Sequence, residues 1–345
     1  MSNSQKESNI RKVALTSLSG TSIEWYDFFL YGAAAGLVFP KLFFGEVDPT
    51  TALVLSFMTF AAGFIARPIG GIVFGHFGDL IGRKKTLVIA LMLMGISSTL
   101  IGLLPTYDTI GIVAPILLTT LRFCQGIAIG GQWGGAMLLV TESAPNNRRG
   151  YYGAYAQAGA PVGVILANIA FISVSMLTSE ENFLSWGWRI PFLISFVLVI
   201  ISMYIQLNLE DTKAFKDLEA MKSSDDSSPK VVKSSPILEA LRRYPKRISL
   251  AAGAFLSVQV TFYILVAFIL AYGVQTTDLS RNDLLMAVLI GSALMVPTQF
   301  MFSDYSDKNG RKGIFMTGAA LTALWSFALF PLIDTGNFYL SLIHI

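Results

Sequence analysis

Charge is what this sequence has least of. Only 14% of its 345 residues are Asp, Glu, Lys or Arg, against roughly 25% in an ordinary soluble domain. With 53% hydrophobic residues, that balance cannot clothe a water-soluble globule. It excludes a cytosolic enzyme, a disordered chain and a nucleic-acid binder. Cysteine is nearly absent, and the single Cys124 excludes a disulfide scaffold and a thiolate metal cluster. The phosphate loop Gly-x-x-x-x-Gly-Lys-Ser/Thr is missing, so no ATP drive is encoded. His-Glu-x-x-His and Gly-x-Ser-x-Gly are missing too. No cofactor and no metal site is expected.

What is present is long apolar runs. Nine reach the roughly 20 residues that cross a hydrocarbon layer as a helix. They lie near 13–39, 52–75, 86–104, 111–140, 151–177, 187–209, 248–273, 284–302 and 313–333. The period-2 alternation of a barrel strand is absent, so they read as helices. The first run follows Lys6, Arg11 and Lys12, as a signal peptide would. Glu24 and Asp27 interrupt it, which suits an uncleaved span. Lys and Arg gather on one side: Lys6, Arg11, Lys12; Arg83, Lys84, Lys85; Arg148, Arg149; the run between 210 and 247; Lys308, Arg311, Lys312. The other side has only Lys41, Arg189 and Arg281. The positive-inside bias therefore places the N-terminus in the cytoplasm of a multi-pass inner (plasma) membrane protein. Residues 1–209 read as a six-span bundle, 210–247 as a charged cytoplasmic linker, and 248–345 as a partial second bundle with spans 7–9 and the start of a tenth.

The few charges inside the runs carry the chemistry. Each ionised residue at the bilayer centre costs about 2.5–3.5 kcal/mol on insertion scales. Glu24 and Asp27 stand about 16 and 21 Å along the first span, too deep to reach water directly. Gly20, Glu24, Asp27 and Tyr31 form one helical stripe. It reads either as a polar network tying span 1 to its neighbours or as a proton and substrate site. Desolvation and a nearby cation pull a carboxyl in opposite directions, so it can load and release a proton. Arg122 stands near mid-membrane on a stripe with Gln125, Ile129 and Gln132. Its acceptor is Glu24, Asp27 or an anionic substrate, or it forms a permanent ion pair. Arg67 lies about 8 Å from the cytoplasmic face, within reach of a snorkelling side chain. Gln157, Asn168, Gln259, Tyr263 and Gln299 are further polar positions able to line a cavity.

After span 2 comes Gly75-His-Phe-Gly-Asp79-Leu-Ile-Gly82-Arg83-Lys84-Lys85. After span 8 comes Asp307-Lys-Asn-Gly310-Arg311-Lys312, aligned with the first copy at one constant offset. A duplicated six-span unit explains both. This motif resembles that of the major facilitator superfamily. Gly20-Thr-Ser-Ile-Glu24-Trp-Tyr-Asp27-Phe-Phe-Leu-Tyr31-Gly32, Arg122-Phe-Cys-Gln125-Gly126 running on to Gln132, and Trp186-Gly-Trp-Arg189-Ile-Pro191 resemble its metabolite:proton symporter family. The resemblance implies an all-α membrane bundle of two six-span halves, acting as a monomer that carries a small organic acid or zwitterion with protons as the coupling ion. It implies a substrate and proton site at Glu24, Asp27, Tyr31, Arg122, Gln125 and Gln132. It also implies a gating loop at Asp79, Gly82, Arg83, Lys84, Asp307, Gly310 and Arg311, with Asp79 and Arg83 latching against the other half. Gln132 departs from the acidic residue frequent there. Three more spans are expected after the ninth, so the chain reads as C-terminally truncated, with an inactive fragment as one alternative. The competing readings are a non-transporting sensor or regulatory subunit that uses 210–247 as its contact and, behind it, a membrane enzyme.

Overall fold

A computed structural model describes residues 3–81, 83–130, 137, 140–141, 144–210 and 242–345. Among these residues the architecture is all-helical, without a β-strand. Nine principal helices follow one another: α1 (Asn3–Leu37), α2 (Pro49–Ile81), α3 (Arg83–Leu103), α4 (Val113–Gly130), α5 (Arg149–Leu177), α6 (Arg189–Glu210), α7 (Pro245–Thr276), α8 (Arg281–Asn309) and α9 (Arg311–Ile333). Each expected apolar run is helical over most of its described residues, with Val38, Leu104, Gly111, Ile112 and Trp188 outside the helices. Six helices (α2, α4, α5, α7, α8 and α9) are long and apolar enough to cross a membrane. A seventh is counted if Glu180–Gly187 and Arg189–Ile205, bent by 44°, form one span. The linker expected at 210–247 falls almost wholly outside the described residues.

Local chemistry explains the helix starts. Asp48 accepts from the Thr51 amide at 3.0 Å ahead of Pro49, whose fixed φ suits a first turn. The Thr51 hydroxyl and amide hold the Asp48 carboxyl below the ordinary carboxylate range. Ser280 and Asp283 form a reciprocal capping box at the head of α8. α7 is interrupted by a π-turn at Ile264–Phe268, a distortion frequent at functional sites.

α1 is the least apolar of the long helices and the most enclosed. Every residue from Gly20 to Ala35 is buried. It packs against α2, α5, α6 and α7. A helix wrapped by protein can carry Glu24 and Asp27 at membrane depth, where one facing lipid cannot. α9 is the opposite case and buries only Leu329 and Ile333.

Glycine sets the close crossings. A Cβ on Gly126 would stand 2.1 Å from the Gly63 carbonyl oxygen, and one on Gly130 2.0 Å from that of Arg67. α2 and α4 therefore touch backbone to backbone, the small-residue contact of membrane helices. Gly159 and Gly163 do the same for α5 against Thr21 and Trp25 of α1. Of the other spaced glycine pairs in the sequence, Gly75 faces nothing within 4 Å.

These contacts give a first prediction. Gly130→Ala forces the α2–α4 crossing apart and lowers the thermal unfolding midpoint of the detergent-solubilised protein, by the ~1–3 kcal/mol typical of overpacking or more. Gly75→Ala leaves the midpoint unchanged or raises it, because alanine favours the helix. Equal midpoints for the two variants would remove the crossing from the account.

Candidate functional site

Arg122 is the centre of the site. The glycine seam draws α4 onto α2 and leaves Arg122 1% exposed. Its guanidinium carbon lies 4.3 Å from the Tyr31 ring centroid, 4.4 Å from that of Phe28 and 4.7 Å from that of Phe60. Cation–π attraction is worth ~2 kcal/mol or more when desolvated, so the three rings compensate part of the burial. Arg122 Nη1 donates to Gln125 Oε1 at 3.0 Å, and Gln125 Nε2 donates to Ser98 Oγ at 2.7 Å. The i,i+3 pair read from the stripe is thus a hydrogen bond, anchored on α3. Nε and Nη2 of Arg122 are enclosed without a hydrogen-bond partner.

Asp27 is 2% exposed, and both of its carboxylate oxygens are enclosed without a hydrogen-bond partner. The Ser98 and Ser195 hydroxyls stand beside it, and Arg122 is the cation that acts on it. Among the described residues no ion pair joins Asp27 to Arg122; the arginine acts on the carboxyl from a distance, behind burial and the two serines. Tyr31 turns its hydroxyl to Thr59 Oγ1 of α2 at 2.7 Å and its ring to Arg122. Glu24, also buried, has a partner of its own. The structure therefore brings Asp27, Tyr31, Arg122 and Gln125 together, with Glu24 on the same helix stripe. Gln132 lies outside the described residues.

Arg67 corrects the sequence reading. Depth along α2 pointed to a snorkelling side chain, but the guanidinium turns inward. It lies 4.4 Å from the Phe28 centroid, 4.8 Å from Phe64 and 5.6 Å from Trp25. Its Nε and Nη2 are enclosed and unpartnered. The Tyr263 ring closes the same group, 5.0 Å from Phe64 and 5.7 Å from Phe28. Phe28 thus has both arginines at 4.4 Å. Sequence reasoning passed over Phe28, Phe60 and Phe64. The signal available was Phe64 and Phe60 one and two turns before Arg67, with Phe28 next to Asp27, the ring-rich surroundings a desolvated guanidinium requires.

The second copy of the loop motif is engaged. Asp307 Oδ1 accepts from the Gly150 amide at 2.9 Å and Oδ2 from the Tyr151 amide at 2.8 Å. Arg311 Nη2 donates back to Oδ1 at 3.2 Å. A carboxylate from α8 thus caps the N-terminus of α5, where free amides and the helix dipole favour negative charge. Residue 150 is glycine because a Cβ there would stand 2.7 Å from Asp307 Oδ1. Gly310 takes φ 89° at the turn, which glycine alone adopts freely. Arg148 lies 3.8 Å from Asp304 and stacks 4.6 Å from the Tyr151 centroid. At the far end of the same seam Arg281 of α8 pairs with Glu180. Of the first copy, Gly82 lies outside the described residues, as do the side chains of Asp79, Arg83 and Lys84.

Elsewhere, a cavity of about 470 Å³ opens between the Phe43–Val47 turn and the α2–α4 face, lined by Phe44, Leu55, Tyr107 and Ile116. It touches none of the charged cluster.

The chain resembles known proteins over nearly all of its length. Residues 17–345 match the family model of the Major Facilitator Superfamily. The inner membrane metabolite transport protein YhjE of Escherichia coli K12 is 43% identical over 333 residues, 94% of this chain and 73% of that protein. The shikimate transporter of the same organism is 40% identical over 339 residues, 96% of this chain and 74% of that protein. In fold, the xylose transporter XylE from E. coli superposes with a TM-score of 0.71 at 18% identity, covering 98% of this chain and 80% of that one. Enclosed charges on a glycine-packed helical bundle, and relatives that are themselves transporters, lead to one identity: the chain belongs to the major facilitator superfamily and is a multi-pass membrane transporter, not an enzyme.

Proposed function

We propose that the chain is a proton-coupled symporter of a small organic acid or zwitterion, working by alternating access in a membrane whose cytoplasmic side holds the N-terminus. In this reading α1 and α3 span the bilayer with the seven more apolar segments, and two bundles on either side of the 210–247 connection rock about the site. The observation that carries it is Asp27: a carboxyl enclosed at membrane depth, without a hydrogen-bond partner, acted on by a buried arginine. A permanent structural ion pair would be closed and hydrogen-bonded. A group that must exchange a proton is better left poised. The shikimate transporter's name fits the same solute class.

When Asp27 holds a proton, the charge on Arg122 is left for an anion. When a solute carboxylate arrives, the pair neutralises the site and the bundles can close over it. Deprotonation on the other side restores the Asp27–Arg122 attraction and releases the solute.

Asp27→Asn in membrane vesicles should abolish uphill accumulation driven by a proton gradient, while exchange of labelled for unlabelled shikimate survives. Undiminished accumulation in that variant would sink the proton role. A second outcome concerns the α5–α8 contact, which in the proposed orientation holds the cytoplasmic side shut. Replacing a capping residue by alanine costs ~0.5–2 kcal/mol, so Asp307→Ala should raise cytoplasmic thiol labelling of a cysteine placed at Tyr155 by roughly 2- to 30-fold, in a background where Cys124 is serine. Unchanged labelling would show that the contact does not gate.

A further inference from the structure

The two inward-facing arginines differ in a way the transport reading leaves unused. Arg122 is 1% exposed, closed in by Tyr31, Phe28 and Phe60, with one nitrogen spent on Gln125. Asp27 is the acid among the groups that act on it. Arg67 is half-buried and has no acidic counterpart among the described residues. What faces it is the phenol of Tyr263, also half-buried, with which it interacts without completing a hydrogen bond. Enclosed guanidinium nitrogens and a phenol oxygen, all unpartnered, are a costly arrangement unless something completes it.

We propose that Arg67 and Tyr263 form the seat for the solute's carboxylate, while Arg122 serves Asp27. The inference rests on the reading of the protein as a solute transporter. The geometry suits the task. A guanidinium presents donors in a planar fork that matches a carboxylate, and the phenol adds one more. The Phe28, Phe64 and Trp25 rings beside Arg67 make its surroundings apolar, which strengthens a charged hydrogen bond formed there. Arg67 comes from α2 and Tyr263 from α7, beside the π-turn at Ile264–Phe268 and beyond the charged connection. A carboxylate held by both bridges the two sides of the molecule, so occupancy of the seat and closure of the bundles become one event.

The test is a fluorescence titration of the full chain in lipid nanodiscs, following Trp25, with shikimate and its methyl ester as probes. The acid carries the charge; the ester does not. The wild-type chain should prefer the acid. Arg67→Gln should weaken acid binding by roughly 10- to 100-fold, the loss of a charged hydrogen-bonding partner, and remove the preference over the ester. Arg67→Lys should keep part of it. Tyr263→Phe, which deletes one oxygen and leaves the ring packing, should weaken the acid several-fold and the ester little. A purely structural role would weaken acid and ester equally. Preserved discrimination in Arg67→Gln and Tyr263→Phe overturns the seat, as does a wild-type chain that binds no acid. Arg67-dependent binding in vesicles that show no proton-driven uptake would leave the seat standing and remove the symport reading instead.

Discussion

Two guanidinium groups held in a low-dielectric bundle set the terms for the rest of this molecule. Neither Arg67 nor Arg122 closes an ion pair within the described residues. Both lean on aromatic faces, and Phe28 serves the two at once. Quadrupole attraction offsets desolvation only in part, because ring faces accept no N–H hydrogen bond of full strength. The remaining deficit falls on enclosed nitrogens of each arginine. Such a cluster is tolerable only when the surrounding backbone is rigid enough to forbid relaxation toward the lipid headgroups.

The glycine seams supply that rigidity. α4 can hold Arg122 against Phe28 and Phe60 because Gly126 and Gly130 let it lie directly on the α2 backbone at Gly63 and Arg67. α1 can present Asp27 to the same point because Gly159 and Gly163 of α5 accept Thr21 and Trp25 without a gap. A single added methyl at these crossings acts on the charges through helix position, not through chemistry. The same logic accounts for Gln125. It uses one end to hold the Arg122 fork and the other to grip Ser98, so the cation keeps one orientation while its remaining nitrogens stay unengaged.

Much of this was legible in the sequence. The nine runs, the stripe of Glu24, Asp27 and Tyr31, and the Arg122–Gln125 spacing follow from periodicities of 3.6 and lengths near 20. At the seams, Gly126/Gly130 and Gly159/Gly163 stand four residues apart, the spacing that puts two small residues on one helix face. Arg67 was not legible, because depth along a helix says how far a side chain is from water and nothing about which face it takes. Its direction is set by Phe28 and Phe64, and that pairing exists only once α1 and α2 are packed. Tyr263 was one of five polar positions of equal standing for a similar reason. A phenol at the edge of α7 acquires meaning only from the arginine across from it. The loop motif was legible as a latch in its first copy, yet it is the second copy whose contacts are described, and its partner is the head of α5.

That partner choice follows from helix electrostatics. Asp307 needs donors that are fixed, unshared and positive in sum. The first turn of α5 offers the Gly150 and Tyr151 amides with the dipole behind them. A lysine or arginine side chain would supply charge but would also carry its own rotamer freedom into the contact. Backbone amides do not, so the bond either forms in one geometry or breaks entirely as α8 moves. With Arg281 and Glu180 at the opposite end, the α5–α8 seam has a polar closure at each extremity. Between them lie the Tyr155–Phe300 ring contact and the bond from Asn168 to the Leu285 carbonyl. One closure is thus fixed by backbone amides and the other is a side-chain ion pair with an exposed acid.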